Sequence, residues 1–278
     1  MSVVYIEDKA TGEVFDCEKF GITTEEFDPH SLEQKQTIKE VPGSHGYIYV
    51  PDATTYAGRT IDWNIFIKAI NSTHLLLKRK ELFSLLSKRE EFFVYTRDEP
   101  NKLYSVTAPD GWKLEKVAHY AGRAPIQLKS SSPFSVSRGT LEDKFHFSGI
   151  WSFGMNIPIQ LDEITYRHYT DEFTIWNLGD KEIDPRRLNE PLKILIEGKT
   201  ENLAIENQTT SDVWQYRGKT NSDDVIVIED VFAYKNSRSI IADTNKATMR
   251  LASGANHFKL HGVTGAIEIR FDFRFLFI

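Results

Sequence analysis

Two histidines have a spacing that could support metal binding. His257 and His261 are four residues apart, and histidine is a common metal ligand. A structural zinc site usually needs four closely spaced ligands, and no acidic residue in the nearby sequence offers a third. The surrounding residues have a strand-like pattern, which places both histidines on one face without completing a site. We therefore predict no metal site in this chain.

Acidic residues offer the next possible chemistry. Asp223, Asp224, Glu229 and Asp230 could supply carboxylate pairs, but a glycosidase needs two carboxylates set apart across a cleft. With 40 acidic residues in the chain such pairs arise by chance, so a solvated loop rim is the better interpretation. The sequence contains no H-E-x-x-H, no G-x-S-x-G and no glycine-rich loop opening a helix. We predict a protein that is not an enzyme and has no catalytic residue and no cofactor.

Composition narrows the class of partner. The net charge is −6 and no block of Lys and Arg is present, so the sequence argues against nucleic-acid recognition. No stretch approaches the roughly 20 apolar residues that span a bilayer, and Met1–Glu7 lacks the pattern of a signal peptide. The single cysteine, Cys17, excludes an internal disulfide, and a lone cysteine is more often an apolar filler than a nucleophile. We expect neither sequence-specific nucleic-acid binding nor membrane insertion.

Three aromatic residues could form a binding surface. Trp176, Trp214 and Tyr216 could line a platform on which sugar rings stack, since flat aromatic faces on β-sandwiches bind glycans. The alternative is that they fill the core, where large aromatic side chains usually lie. The sequence favours the core and leaves the platform open.

The elements that would position these residues are mainly strands. The stretch from Ala266 to Ile278 alternates apolar and charged residues with period two, which predicts a strand with one buried face. The same pattern predicts a strand from Thr60 to Ile67. One helix is predicted from Leu75 to about Arg89, preceded by capping residues at Asn71–Thr73. Short strands separated by turns continue through the last hundred residues, as in a sandwich or barrel.

The chain is long enough for two domains. We predict a first domain at 1–135, a linker or extension at 136–165, and a second domain at 166–278. The linker is placed there because Ser130–Pro133 and Ser135–Gly139 have few core-forming residues and Pro133 blocks a continuing ladder.

Several short motifs together resemble the distal tail protein family of siphophages from Gram-positive hosts. In the first half they are Val41-Pro42-Gly43-Ser44-His45-Gly46, Gly58-Arg59-Thr60-Ile61 and Ser131-Ser132-Pro133-Phe134. In the second half they are Asn177-x-Gly179, Pro191, Gly198, Asn207, Thr209-Thr210 and Leu251-x-x-Gly254-x-Asn256. The family usually has Arg-Asp where this chain has Ser44-His45, and the segment Lys144–Glu163 looks longer than the family's linker.

The resemblance implies a mainly β fold and a structural role. The first domain would be a split β-barrel or sandwich with one helix, and the second a galectin-like β-sandwich. Six copies would form a ring with a lumen for DNA, joining the tail tube protein to the tail-tip and receptor-binding proteins. The protein would belong to the virion and be assembled in the host cytoplasm. The alternative is a carbohydrate-binding protein that recognises host wall or capsule glycans.

The turn-rich segment 41–58 has few core residues for its length. A hairpin that reaches a neighbouring subunit would explain this composition, and identical head-to-tail contacts close into a ring when the rotation closes. The candidate ring-contact residues are Ser44, His45, Tyr47, Tyr49, Tyr56 and Arg59.

Overall fold

The computed structural model describes residues 2–50, 53–138 and 165–278. The chain divides into two compact units, residues 1–135 and residues 136–277. Most of the predicted 136–165 extension, including Trp151 and Met155, lies outside the described residues. The described part is mainly β with one α-helix, as predicted from the sequence.

The first unit contains twelve described strands and the helix. They are β1 (Val4–Asp8), β2 (Val14–Asp16), β3 (Ile22–Pro29), β4 (Gln34–Lys35), β5 (Ile38–Glu40), β6 (Tyr47–Tyr49), β7 (Thr55–Tyr56), β8 (Thr60–Lys68), α1 (Ser72–Leu86), β9 (Phe92–Thr96), β10 (Lys102–Thr107), β11 (Glu115–Ala118) and β12 (Ala121–Ser130). The main sheet has the order β2-β1-β9-β10-β12-β8-β3, and β11 pairs with β12. The strand pairs β1–β2, β1–β9, β9–β10, β10–β12, β11–β12, β8–β12 and β3–β8 are antiparallel.

The core of the first unit follows from alternation along β8. Ile61, Trp63, Ile65 and Ile67 are fully buried, while the residues between them face outward. The indole Nε1 of Trp63 donates to Thr24 Oγ1 over 3.2 Å, so the buried ring keeps a hydrogen-bond partner.

Helix α1 covers this core. It begins after Asn71, whose side chain accepts a hydrogen bond from the His74 backbone N–H, and it buries Leu75, Leu82 and Leu86. These three side chains lie on one stripe because their spacing matches the helical repeat.

The remaining elements begin at residue 135. They are β13 (Ser135–Ser137), β14 (Arg167–His168), β15 (Glu172–Asn177), β16 (Leu192–Asn207), β17 (Asp212–Gln215), β18 (Lys219–Thr220), β19 (Val225–Glu229), β20 (Phe232–Lys235), β21 (Arg238–Ser239), a short 3-10 helix (Ile241–Asp243), β22 (Gly254–Phe273) and β23 (Leu276–Phe277). The main order is β14-β22-β16-β19-β20-β21, with β15 on β22 and with β17 and β18 on β16.

The long strands β16 and β22 are bent, and the bend makes the second unit a sandwich. Phe258 and Phe271 lie in the same strand, where thirteen extended residues would separate them by about 40 Å. Their ring centroids are 4.9 Å apart, and Phe173 contacts Phe258 at 5.5 Å. The two halves of β22 therefore face each other across a core. The pairing of β16 with β22 is irregular between Gly198 and Ala204, where the bend falls.

The apolar run Val225–Ile228 would suit a strand buried on both faces, but β19 buries only one face fully. Ile226 and Ile228 are buried, while Val225 and Val227 keep partial exposure.

Candidate functional site

The described residues between β3 and β8 form a hairpin arm, defined as residues 33–50 and 53–57. Its strands pair only within the arm among the described residues, β4 with β7 and β5 with β6. All side chains of β5 and β6 are exposed, including Tyr47 at 60%, Ile48 at 55% and Ile38 at 46%. The arm thus presents large apolar side chains to solvent without a core of its own.

The register of the arm assigns its side chains to two faces. Ile38 pairs with Tyr49 and Glu40 with Tyr47, so these four side chains share one face. Lys39 and Ile48 pair on the other face. Ser44 and His45 lie exposed in the turn between the strands.

The two other predicted ring-contact residues lie at the base of the arm. Tyr56 is half-buried, with its aromatic ring edge-on to that of Phe134 at 5.8 Å. Arg59 is buried, with its guanidinium over the Tyr104 ring at 5.8 Å. Arg59 Nε has no hydrogen-bond acceptor within the described ranges. The structure therefore places the six predicted residues along one arm and its root.

The three aromatic residues proposed as a glycan platform are placed differently from one another. Trp214 is 2% exposed and Tyr216 is 7% exposed, so both contribute to the core of the second unit. Trp176 is half-buried and lies on the outer face of β15, because its neighbours Ile175 and Asn177 point inward and are buried. The three side chains do not form a single exposed platform.

Two of the acidic residues near 223–230, Asp224 and Asp230, have structural partners. Hydrogen bonds from the Asn221 backbone N–H, Lys235 and Asn236 lower the pKa of Asp224 to about 2. Asp230 Oδ1 accepts a hydrogen bond from the Leu192 backbone N–H over 2.9 Å. These carboxylates hold turns together.

The remaining chemical candidates can be placed in the same way. Cys17 is buried, and desolvation raises the pKa of its thiol far above the ordinary value, which disfavours the reactive thiolate. His257 is hydrogen-bonded to Thr174, and His261 to Glu206, on the outer face of β22.

Among the residues that the structure describes, no group of three or more His, Cys, Asp or Glu could hold a metal ion. The same part of the chain contains no helix long and apolar enough to cross a membrane.

Comparison with known proteins identifies the class of domain. Residues 15–130, within the first unit, match the family model of the phage tail protein RIFT-related domain, so this part of the chain is similar to a phage tail protein domain. No curated protein sequence matches the chain.

A solved structure extends the likeness to both units. The Dit protein of phage SPP1, described as a paradigm of the hub adsorption apparatus in phages that infect Gram-positive bacteria, aligns with a TM-score of 0.68 at 12% identity. The alignment covers 99% of this chain and 100% of that chain, which shows a shared fold. The predicted resemblance to siphophage distal tail proteins is confirmed by the family match and this fold.

Two baseplate structures of phage P2, in activated conformations with calcium and with strontium, align less well. Their TM-scores are 0.47 and 0.45 at 9% identity, each covering 99% of this chain and 98% of the other. These two scores are too low to indicate a shared fold.

Proposed function

We propose that this protein is the structural hub of a bacteriophage tail tip or baseplate, and that six copies form a ring. The ring joins the tail tube protein to the tail-tip and receptor-binding proteins. The phage tail domain at 15–130 and the fold shared with the SPP1 hub protein support this role. The protein acts by assembly and not by catalysis. It is a component of the virion, assembled in the host cytoplasm.

The exposed arm is the observation that carries the proposal. A two-stranded hairpin alone is marginally stable in water, because it buries too little apolar surface to offset the entropy of ordering its chain. This arm exposes large side chains on both faces, among them Ile38, Tyr47 and Ile48. A neighbouring subunit that covered these side chains would stabilise both the arm and the assembly.

Identical subunits give the arm a natural partner. If the arm of one subunit docks on a different surface of the next, the contact is head-to-tail, and repetition of that contact closes a ring. The arm leaves the sheet between β3 and β8 and returns to it, so the strands on either side hold its base in place. A docked arm would then set the angle between successive subunits.

Arg59 would support the arm from inside its own subunit. The side chain is buried and its guanidinium lies over the Tyr104 ring at 5.8 Å, so it is not accessible to a neighbour. Because Arg59 follows the arm by two residues, this contact would hold the root of the arm while the exposed side chains of the arm engage the neighbour.

The proposal is tested by the oligomeric state of arm variants. Tyr47→Ser combined with Ile48→Ser removes apolar contacts that the isolated subunit does not use, so rings should be lost while the melting temperature is kept. Tyr169→Ser, at a position 62% exposed in the second unit, is the matched control and should still form rings. Deletion of residues 44–57 should also abolish rings and leave the fold intact. Rings that persist in both arm variants would refute the role of the arm.

A further inference from the structure

One outer face of the second unit has a composition suited to a ligand. β15, β22, β16 and β17 lie side by side in its sheet. Direct cross-strand pairs place one set of side chains on a common outward face, namely Glu172, Thr174 and Trp176 from β15, Ala255, His257, Lys259 and His261 from β22, and Glu206 from β16. The alternate residues of these strands, such as Ile175, Phe258 and Ile205, are buried on the opposite side.

Trp176 is the large apolar group of this face. It lies on β15, which pairs only with β22 among the described strands, and its direct partner across the ladder is Ala255. Because alanine is small, the residue opposite Trp176 covers little of the indole. The side chain is half-buried, so part of the indole stays in contact with solvent.

The polar groups beside Trp176 are held by one another. Thr174 Oγ1 and His257 Nδ1 are 3.0 Å apart, Lys259 Nζ lies 2.5 Å from Glu172 Oε1, and His261 Nε2 lies 2.9 Å from Glu206 Oε2. The hydrogen bond to Glu172 raises the pKa of Lys259, so its ammonium stays charged. Each pair leaves further donors or acceptors for a ligand, including Nε2 of His257, which has no partner in the described residues.

We propose that this face binds a neutral oligosaccharide. A pyranose ring has an apolar C–H face, which would stack on Trp176, and a rim of hydroxyl groups, which would bond to Thr174, His257 and Glu172. Binding sites commonly combine an aromatic surface with a few fixed polar groups in this way. Lysine and glutamate charges alternate on the face, so it offers no cationic cluster for an anionic polymer. Trp214 and Tyr216 take no part, because they lie in the core.

The test is a titration of the full chain with lactose, maltotriose and chitotriose, followed by the indole N–H signals in NMR spectra. The Trp176 signal is assigned by its loss in Trp176→Phe. We expect a saturable shift of this signal with at least one of the three probes. Trp176→Ala should weaken binding about 10-fold or more, and His257→Ala by a smaller factor. Phe232→Ala alters a ring that is 58% exposed elsewhere on the unit, and binding should be unchanged.

Three results would overturn the proposal. They are the absence of a saturable shift with all three probes, unchanged affinity in Trp176→Ala, and equal loss of binding in Phe232→Ala. Any of these would mean that the face is an ordinary solvated surface of the sheet. Binding here does not depend on ring formation, so the arm variant Tyr47→Ser with Ile48→Ser should bind the probe as the unaltered chain does. The two proposals can therefore fail separately.

Discussion

Asn207 and Asn256 are 49 residues apart in sequence, yet their side chains are bonded in the core of the second unit. Asn207 Nδ2 donates to Asn256 Oδ1 over 3.1 Å, and both residues are fully buried. Asn207 Nδ2 also donates to the Arg250 carbonyl, while Asn256 bonds both the N–H and the carbonyl of Ala252. The pair fixes the loop that leads into β22.

Asn177 holds the same loop from a third strand. Its Nδ2 donates to the carbonyls of Leu251 and Lys181, and its Oδ1 accepts from the Gly179 backbone N–H. Asn177-x-Gly179, Asn207 and Leu251-x-x-Gly254-x-Asn256 were separate motifs in the sequence. In the structure they converge on one hydrogen-bonded cluster, which gives the motifs a structural explanation.

The asparagine cluster predicts a large loss of stability on truncation. Asn256→Ala should lower the free energy of unfolding by about 2–3 kcal/mol, because it removes a buried side chain and leaves the partly buried N–H and carbonyl of Ala252 without their partners. Asn207→Ala should have a similar effect, and the double variant should cost less than the sum of the two. Denaturant unfolding measures these values, with Asn221→Ala as an exposed control. Fully additive losses would contradict the coupling.

Gly198, at the bend of β16, is a second position where substitution should destabilise the fold. Its φ is +143°, and a Cβ at this position would lie 2.4 Å from the Ala266 carbonyl oxygen. Gly198→Ala should therefore destabilise the second unit by more than about 1 kcal/mol. Gly111→Ala, where a Cβ would meet no atom within 4 Å, should be nearly neutral in the same thermal unfolding assay. Equal melting temperatures for the two variants would contradict the strain at the bend.

The two tryptophans of the second unit should differ in their effect on stability. Trp214→Ala removes a fully buried side chain and should cost about 3–5 kcal/mol. Trp176→Ala removes a half-buried side chain and should cost clearly less. Chemical denaturation of both variants checks this, and a larger loss at Trp176 would contradict its placement on the outer face.

The stability of the first unit should depend on pH through the carboxyl group of Glu91. Burial raises its pKa, but hydrogen bonds from Lys9, Ser105 and Ser131 outweigh burial and lower the pKa to about 2, from an ordinary value of 4.5. A lowered folded-state pKa stabilises the fold above pH 4.5, and this stabilisation is lost as the pH falls from 4.5 towards 2.

Glu91→Gln should therefore destabilise the protein by about 1–2 kcal/mol at pH 7, a value reduced for the partial exposure of the side chain. The difference from the unaltered chain should shrink between pH 4.5 and pH 2.5. Glu90→Gln, at an exposed neighbouring position, is the control and should show no such trend in denaturation curves across this range. A difference that stays constant with pH would contradict the assignment.

The strands with clear period-two alternation could be predicted from the sequence. β8 and the apolar face from Ile267 to Phe277 lie where the pattern placed them, because burial on one face leaves a direct trace in residue order. Gly198 closes the alternating run of Leu192, Ile194 and Ile196, a pattern that by itself indicates the end of a strand. The structure continues β16 through it to Asn207, because a bend and a turn require the same backbone freedom of glycine.

The candidate sites were harder to predict, because they depend on cross-strand register. Trp214 lies in the core and Trp176 on the outer face because of the direction in which each side chain points from its strand. A short strand shows too little alternation to predict this direction, and β17, which contains Trp214, has only four residues. Glu172 and Lys259, two polar residues beside Trp176, are 87 positions apart in sequence, and the pairing of β15 with β22 brings them together. The alternation of polar and apolar side chains within Glu172–Asn177 was the feature of the sequence that could have indicated which residues of β15 face outward.

The oligomeric state tests the central claim most directly. Negative-stain electron microscopy of the purified chain at high concentration, alone and mixed with the tail tube protein of the same phage, would show the assembly. The account predicts sixfold rings with an open centre, which disappear when Tyr47 and Ile48 are both changed to serine. Monomers under both conditions would contradict the proposed hub.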